Sequence, residues 1–131
     1  MNRNKTILIV DDHAILARAY VRRINAMKFI EGCSVLLTED PKEALVIALA
    51  QPHKLFFLLT DTDMPRMTGA ELIRDLRLHL GGQLKRAVLM SGDPGNRILA
   101  AKVQADMFLG KPPEEADWEA FVHLLEEFAS A

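Results

Sequence analysis

This chain has a single cysteine, no membrane-length apolar run, and no glycine-rich turn after its first strand-like segment. The lone thiol, Cys33, excludes an internal disulfide and a cysteine-built zinc site, and reads as a small buried apolar residue. The polar, basic start (Asn2, Arg3, Asn4, Lys5) runs directly into a strand, so neither a signal peptide nor a transmembrane helix is expected and the default location is the cytoplasm. The missing glycine-rich turn argues against nucleotide-cofactor binding. No basic stripe or recognition motif is present either, which argues against direct nucleic-acid contact.

At 131 residues, half of them hydrophobic and 26% charged, the chain has the size and make-up of one globular domain spanning 1–131. The net charge of −2 hides an imbalance: residues 112–131 carry six acids and no Lys or Arg, leaving 16 basic against 12 acidic groups in residues 1–111. The acidic end reads as a solvated helix face, with a docking surface for a basic partner as the alternative.

Strand-like and helical patterns alternate along the whole length. Strands are expected at Ile7–Val10, Ser34–Thr38, Leu55–Thr60, Ala87–Met90 and Met107–Gly110. Ile15, Leu16, Ala19, Tyr20, Ile24 and Met27 recur at helical spacing and mark a first helix. Asp40-Pro41-Lys42-Glu43 opens a second, with Asp40 as N-cap and Glu43 in the capping-box position, ending near Gln51-Pro52. Gly69 to Leu80, stopped by Gly81-Gly82, is the third, and Ile98 to Ala105, behind Asp93-Pro94, is the fourth. The fifth begins near Glu115 and buries Trp118, Phe121, Val122 and Leu125; Leu124 and Phe128 lie to one side, as core edge or as a patch for a homodimer or output partner. Short, continuously apolar strands require a sheet covered on both sides. The fold class is therefore α/β: a five-stranded parallel sheet in order 2-1-3-4-5, flavodoxin-like and doubly wound, with five helices on both faces.

In an open parallel sheet the carboxyl ends of the strands share one edge, where ligands bind. Four of the apolar runs stop at groups suited to phosphate chemistry: Asp11-Asp12, Asp61, Ser91 and Lys111. Three neighbouring carboxylates repel one another, and a hard cation such as Mg²⁺, with oxygen ligands, relieves that repulsion. An aspartate can also act as a nucleophile toward phosphorus. Lys111 then suits one phosphoryl oxygen as a point charge, and Ser91 another as a hydroxyl donor. Each residue alone has an ordinary reading as a turn cap or a solvated charge. Their placement at successive strand ends is what carries the chemistry.

These residues resemble the receiver domains of two-component response regulators, over essentially the whole chain. The shared motifs are Ile7-Leu8-Ile9-Val10-Asp11-Asp12, then Asp61-Thr62-Asp63-Met64-Pro65-Arg66-Met67-Thr68-Gly69, Met90-Ser91-Gly92 and Phe108-Leu109-Gly110-Lys111-Pro112. The family's chemotaxis receivers have the strand order given above, so that order is not independent of the resemblance. The resemblance implies that Asp61 accepts a phosphoryl group from a phosphohistidine on a sensor histidine kinase or histidine phosphotransfer protein. It implies Mg²⁺ bound directly by Asp12, through water by Asp11, by Asp61, and by the backbone carbonyl of Asp63. Ser91 and Lys111 take the switch-hydroxyl and paired-lysine positions, and Phe108 the switch-aromatic position. Phosphorylation is then expected to alter the face made by the fourth helix, fifth strand and fifth helix, and so to control an output partner or domain absent from this chain. Such a protein phosphorylates itself and slowly dephosphorylates, and is not a conventional enzyme.

Several positions depart from the family pattern. Phe108 lacks the hydroxyl of the commoner tyrosine. Gln104 stands where glycine usually ends the fourth helix, so that turn is expected to be built differently. The segment from Ser91 to Lys111 is a couple of residues short, and Pro113 replaces a bulky residue. Asp63 adds a carboxylate beside Asp61, either as a loop acid or as a modifier of the phosphorylated lifetime. His13, among oxygen-rich neighbours, reads as a loop residue rather than a metal ligand. Two rivals share some of these features. A haloacid-dehalogenase-type phosphohydrolase would use Asp61 and Asp63, but Met64-Pro65 replaces its Gly-Thr continuation and the strand-end acidic pair, Asp11-Asp12, comes first in the chain. A receiver-like scaffold that is never phosphorylated would not need the complete acid, hydroxyl and lysine set.

Overall fold

The computed structural model describes residues 4–131. The strands are β1 (Lys5–Val10), β2 (Ser34–Thr38), β3 (Leu55–Asp61), β4 (Leu84–Ser91) and β5 (Met107–Gly110). The helices are α1 (Ala14–Asn25), α2 (Pro41–Leu49), α3 (Gly69–Leu80), α4 (Arg97–Lys102) and α5 (Glu115–Ser130). Short 3₁₀ turns occupy Lys28–Ile30, Gly81–Gln83 and Pro94–Asn96. All strand pairs are parallel, in the order β2-β1-β3-β4-β5, so the expected architecture holds.

The reason for the unbroken apolar strands is visible in the packing. Leu8, Val10, Phe56, Leu58, Ala87, Leu89 and Phe108 face one core with α2, α3 and α4. Their strand neighbours Ile7, Ile9, Phe57, Leu59, Val88, Met90 and Leu109 face the other, with α1 and α5. Successive side chains point to opposite sides, and both sides are covered. The second core is the aromatic one: the Phe57 ring meets Phe121 edge-on at 5.8 Å and Phe128 at 5.6 Å. Fully burying a phenylalanine is worth about 3 kcal/mol at most, so this cluster pins α5 to the sheet. Among the described residues, no helix is long and apolar enough to cross a membrane.

Helix ends show where local sequence rules held and where tertiary contacts overrode them. Asp40 caps α2 through the Lys42 N–H at 2.9 Å, but Glu43 does not close the box. Its carboxylate accepts from the Thr38 hydroxyl at 2.8 Å, and that hydroxyl in turn accepts the Asp40 N–H at 3.2 Å. The closed capping box lies instead at α3, between Thr68 and Glu71. Asp93 caps the 3₁₀ turn, not a helix, and α4 is only six residues long. The first-helix stripe is also displaced from expectation: Ala17, Tyr20 and Ile24 are buried, whereas Ile15 is 85% exposed. On α5, Trp118 and Val122 are half-buried, and Phe128 belongs to the core rather than to a surface patch.

The turn after α4 contradicts the expectation drawn from Gln104. It keeps the left-handed geometry, with Gln104 at φ +55°. The Ala105 N–H reaches the Ala100 carbonyl at 2.9 Å and the Gln104 N–H reaches Ala101 at 3.1 Å, the Schellman pattern that usually selects glycine. The Arg77 guanidinium on α3 donates to the carbonyls of both Val103 and Gln104. Those two charge-assisted bonds hold the carbonyls at the end of α4, which accounts for the strained turn persisting without glycine.

Candidate functional site

β1 and β3 pair in register, Val10 opposite Thr60, so the residues that follow them emerge side by side at the carboxyl edge. This is the point at which the strand order reverses direction. Asp11 is fully buried, and one of its oxygens (Oδ1) accepts the His13 N–H at 2.9 Å. The other lies 3.1 Å from Lys111 Nζ, which also stands 3.2 Å from Asp61 Oδ1. Asp61 Oδ1 further accepts the Thr62 N–H at 2.9 Å. Lys111 thus bridges two buried acids, and its own side chain is only 8% exposed.

Asp12 completes the acidic group. Its Oδ1 is buried and accepts no hydrogen bond among the described residues. The His13 imidazole lies beside it, with Nδ1 at 3.3 Å; the same nitrogen is 3.3 Å from Asp11 and 3.7 Å from Asp61. Donor atoms of Asp11, Asp12, His13 and Asp61 all lie within 4.8 Å of one another. His13, read from the sequence as a loop residue, stands at the N-cap position of α1 without a side-chain cap and has its ring in the cluster. Burial pushes the Asp61 carboxyl above the usual carboxylate range, and Asp11 adds to that; Lys111 and the Thr62 N–H oppose it. A buried carboxylate oxygen without a donor, beside two further acids and one ammonium, suits a hard divalent cation with oxygen ligands, so the residues present fit Mg²⁺.

Two local devices hold Asp61 in place. The Thr62 hydroxyl and N–H both donate to the Met90 carbonyl, at 2.9 and 3.0 Å, tying the loop after β3 to the end of β4. The chain then returns so that the Gly69 N–H reaches the Thr62 carbonyl at 2.9 Å. A Cβ on Gly69 would collide with the Asp61 carbonyl oxygen and come within 2.9 Å of Leu89. That close approach is the physical reason for the glycine eight residues after the aspartate.

Ser91 ends β4 and is 4% exposed. With Asp61, Asp63, Lys111 and Leu16 it lines an open cleft of about 390 Å³. Its Oγ accepts from the Asp93 N–H at 3.0 Å and from Asn96 Nδ2 at 2.8 Å. Asp63 is an exposed loop acid on the cleft rim, with Oδ2 3.5 Å from the same Asn96 nitrogen. Phe108 is buried in the core on the α2–α4 side, with the Arg97 guanidinium 4.9 Å above its ring. All the residues selected from the sequence therefore surround one edge of the sheet, with Phe108 beneath it. The sequence reading missed His13, Thr62 and Asn96. Of these, only Thr62 lay inside a recognised motif.

The family model for the response regulator receiver domain matches residues 7–123. Among curated proteins, the response regulator MprA of Mycolicibacterium vanbaalenii is 34% identical over 108 residues, which is 81% of this chain and 43% of that protein. The chain thus spans less than half the length of the curated relatives it matches. A putative response regulator from Chloroflexus aurantiacus superposes with a TM-score of 0.75 at 22% identity, covering 96% of this chain and 98% of that one. The receiver domain of the sensor histidine kinase PA1611 from Pseudomonas aeruginosa, solved with a magnesium ion coordinated in its active-site cleft, gives a TM-score of 0.73 at 19% identity, with both chains fully covered. The span of the family match, on a sheet of this order, makes the chain a member of the response regulator receiver domain family.

Proposed function

We propose that Asp61 is the phosphoacceptor of this receiver domain. Receiver domains of response regulators are phosphorylated by histidine kinases and act as phosphoacceptor switches, generally not as enzymes. The observation that carries the assignment is the Lys111 bridge: one buried ammonium within 3.2 Å of both Asp11 and Asp61. Asp61 is the acid of that pair which lines the open cleft, and Asp11 is fully buried.

In the reaction, a carboxylate oxygen of Asp61 attacks the phosphorus of a phosphohistidine. The O–P bond forms as the P–N bond breaks, and the imidazole leaves and takes up a proton. Lys111 is placed to follow the transferred group as a positive point charge, and Ser91 to donate its hydroxyl proton to a phosphoryl oxygen. Asp12 and Asp61 would hold Mg²⁺ directly, with the Asp63 backbone carbonyl. Asp11, both of whose oxygens are already engaged, would hold it through water. When bound, the ion neutralises charge developing on the phosphoryl oxygens. Attack of water on the phosphorus releases phosphate and regenerates the carboxylate, a slow resetting step.

The exposed apolar residues Ile15 and Leu16 at the start of α1 support docking of the phosphodonor, a sensor histidine kinase or a histidine phosphotransfer protein. Leu16 lines both this patch and the cleft holding Asp61. The face of α4, β5 and α5, where Ile98 is 67% exposed, is the proposed surface for an output partner or a second copy of the chain. The test is incubation with Mg²⁺ and acetyl phosphate followed by intact-mass measurement. A single phosphoryl adduct on the wild type and none on Asp61→Ala is the expected result. An adduct that survives the substitution, or catalytic turnover of phosphate esters without an adduct, overturns the assignment.

A further inference from the structure

Asn96 occupies a helix N-cap position but does not cap the helix: its side chain makes no hydrogen bond to the α4 backbone. The amide is directed at Ser91 instead, with Nδ2 2.8 Å from Oγ. A serine hydroxyl has two acceptor lone pairs and one proton to give. The Asp93 N–H at 3.0 Å and the Asn96 amide occupy both lone pairs. Among the described residues no acceptor takes the Ser91 proton, and at 4% exposure it has little access to bulk water. Ser91 lines the cleft that contains Asp61 and Lys111. Its remaining valence is therefore committed to whatever acceptor enters that cleft.

We propose that Asn96 is a positioning residue for phosphoryl transfer, acting through Ser91. This rests on the reading of Asp61 as phosphoacceptor. By donating into Oγ, Asn96 prevents the hydroxyl from spending its proton on the loop and keeps it available to a phosphoryl oxygen, where a preoriented donor is most effective. Asp63 biases the amide toward this orientation. Its Oδ2 lies 3.5 Å from the same Nδ2, and a flipped amide would set a carbonyl oxygen against that carboxylate.

The test uses single-turnover phosphorylation by acetyl phosphate with Mg²⁺, read by intact mass, in Asn96→Ala, Asn96→Asp, and both changes combined with Ser91→Ala. Asn96→Ala is expected to slow phosphorylation about fivefold, the equivalent of one ordinary hydrogen bond. Asn96→Asp, equal in size but accepting where the amide donates, is expected to be slower still, because its carboxylate captures the Ser91 proton. In the Ser91→Ala background both effects should disappear, which a merely structural loss would not do. Unchanged or faster phosphorylation in Asn96→Ala, or slowing that persists without the serine hydroxyl, overturns the proposal. A wild-type chain that takes no phosphoryl group sinks the underlying reading together with it; a phosphorylated wild type with unchanged variant rates removes the role of Asn96 alone.

Discussion

The two halves of the sheet edge are built to different standards. At the ends of β1 and β3 the buried acids Asp11 and Asp61 are held by short bonds: Lys111 reaches in from the end of β5 to both acids, Thr62 ties the loop to β4, and Gly69 meets the returning loop. On the β4–β5 side the outer helix is six residues long, begins in a 3₁₀ turn, and closes on a left-handed glutamine braced from α3. A helix this short, with Ala100 as its one buried residue, has little apolar burial to resist local opening. The contrast is one of rigidity: the acids at the ends of β1 and β3 sit at fixed distances around one ammonium, whereas the outer helix α4 is short and held at its end by a single arginine.

Breaking the rigid side should have the largest consequence. In Gly69→Ala the new Cβ meets the Asp61 carbonyl, which is backbone and cannot step aside. A loss of about 3 kcal/mol is expected, measured by urea denaturation, together with a collapse of phosphorylation, because the peptide that must shift carries Asp61. A stable, active Gly69→Ala protein would mean that the loop after β3 yields as readily as α4, and the contrast would fail.

The charges that meet between Asp11 and Asp61 make opposite predictions. Lys111→Met leaves Asp11 and Asp61 buried without their cation and should cost roughly 3 kcal/mol at neutral pH, with part of the loss recovered when Mg²⁺ is added. Asp61→Asn should instead stabilise the metal-free protein. Burial raises the folded-state pKa of Asp61 above its unfolded value. A raised acid contributes stability that is fully present below the unfolded carboxylate pKa and is lost as pH rises through the folded one. The asparagine variant escapes that loss, so its advantage should be present at pH 7 and vanish on acidification. Denaturation midpoints across pH read both variants directly, and equal signs for the two would show that Lys111 does not offset the acids.

What could be read from the sequence follows the same division. The strand ends were legible because an unbroken apolar run that stops at a charge has one physical solution in a doubly covered sheet, and Asp11, Asp12, Asp61, Ser91 and Lys111 all fell into place. Loop-borne contacts were not legible. His13 and Asn96 reach the site through side-chain rotamers, which neither periodicity nor spacing encodes. Ile15 and Leu16 had helical spacing yet face outward, because the pattern identifies a helix face without saying whether that face meets the core. Glu43 and Glu71 stand in equivalent positions near two helix starts, and only the second closes its box, since Thr38 competes for the first.

The smallest effect bears on the yielding side. Gln104 is exposed at φ +55°, and what Arg77 grips is its backbone carbonyl rather than its side chain. Gln104→Gly therefore removes the strain and keeps the brace, and a gain of about 1 kcal/mol is expected. Phosphorylation by acetyl phosphate should be unaffected, because the residue lies at the far end of α4 from Ser91. Hydrogen exchange at the amides of residues 97–105 should slow, since local opening must now disrupt an unstrained turn. If exchange slows while the rate of phosphorylation holds, stability on this side is separable from the chemistry next to it. If the glycine variant exchanges as fast as the wild type, the glutamine turn stores no strain, and the contrast with the β1–β3 side rests on the shortness of α4 alone.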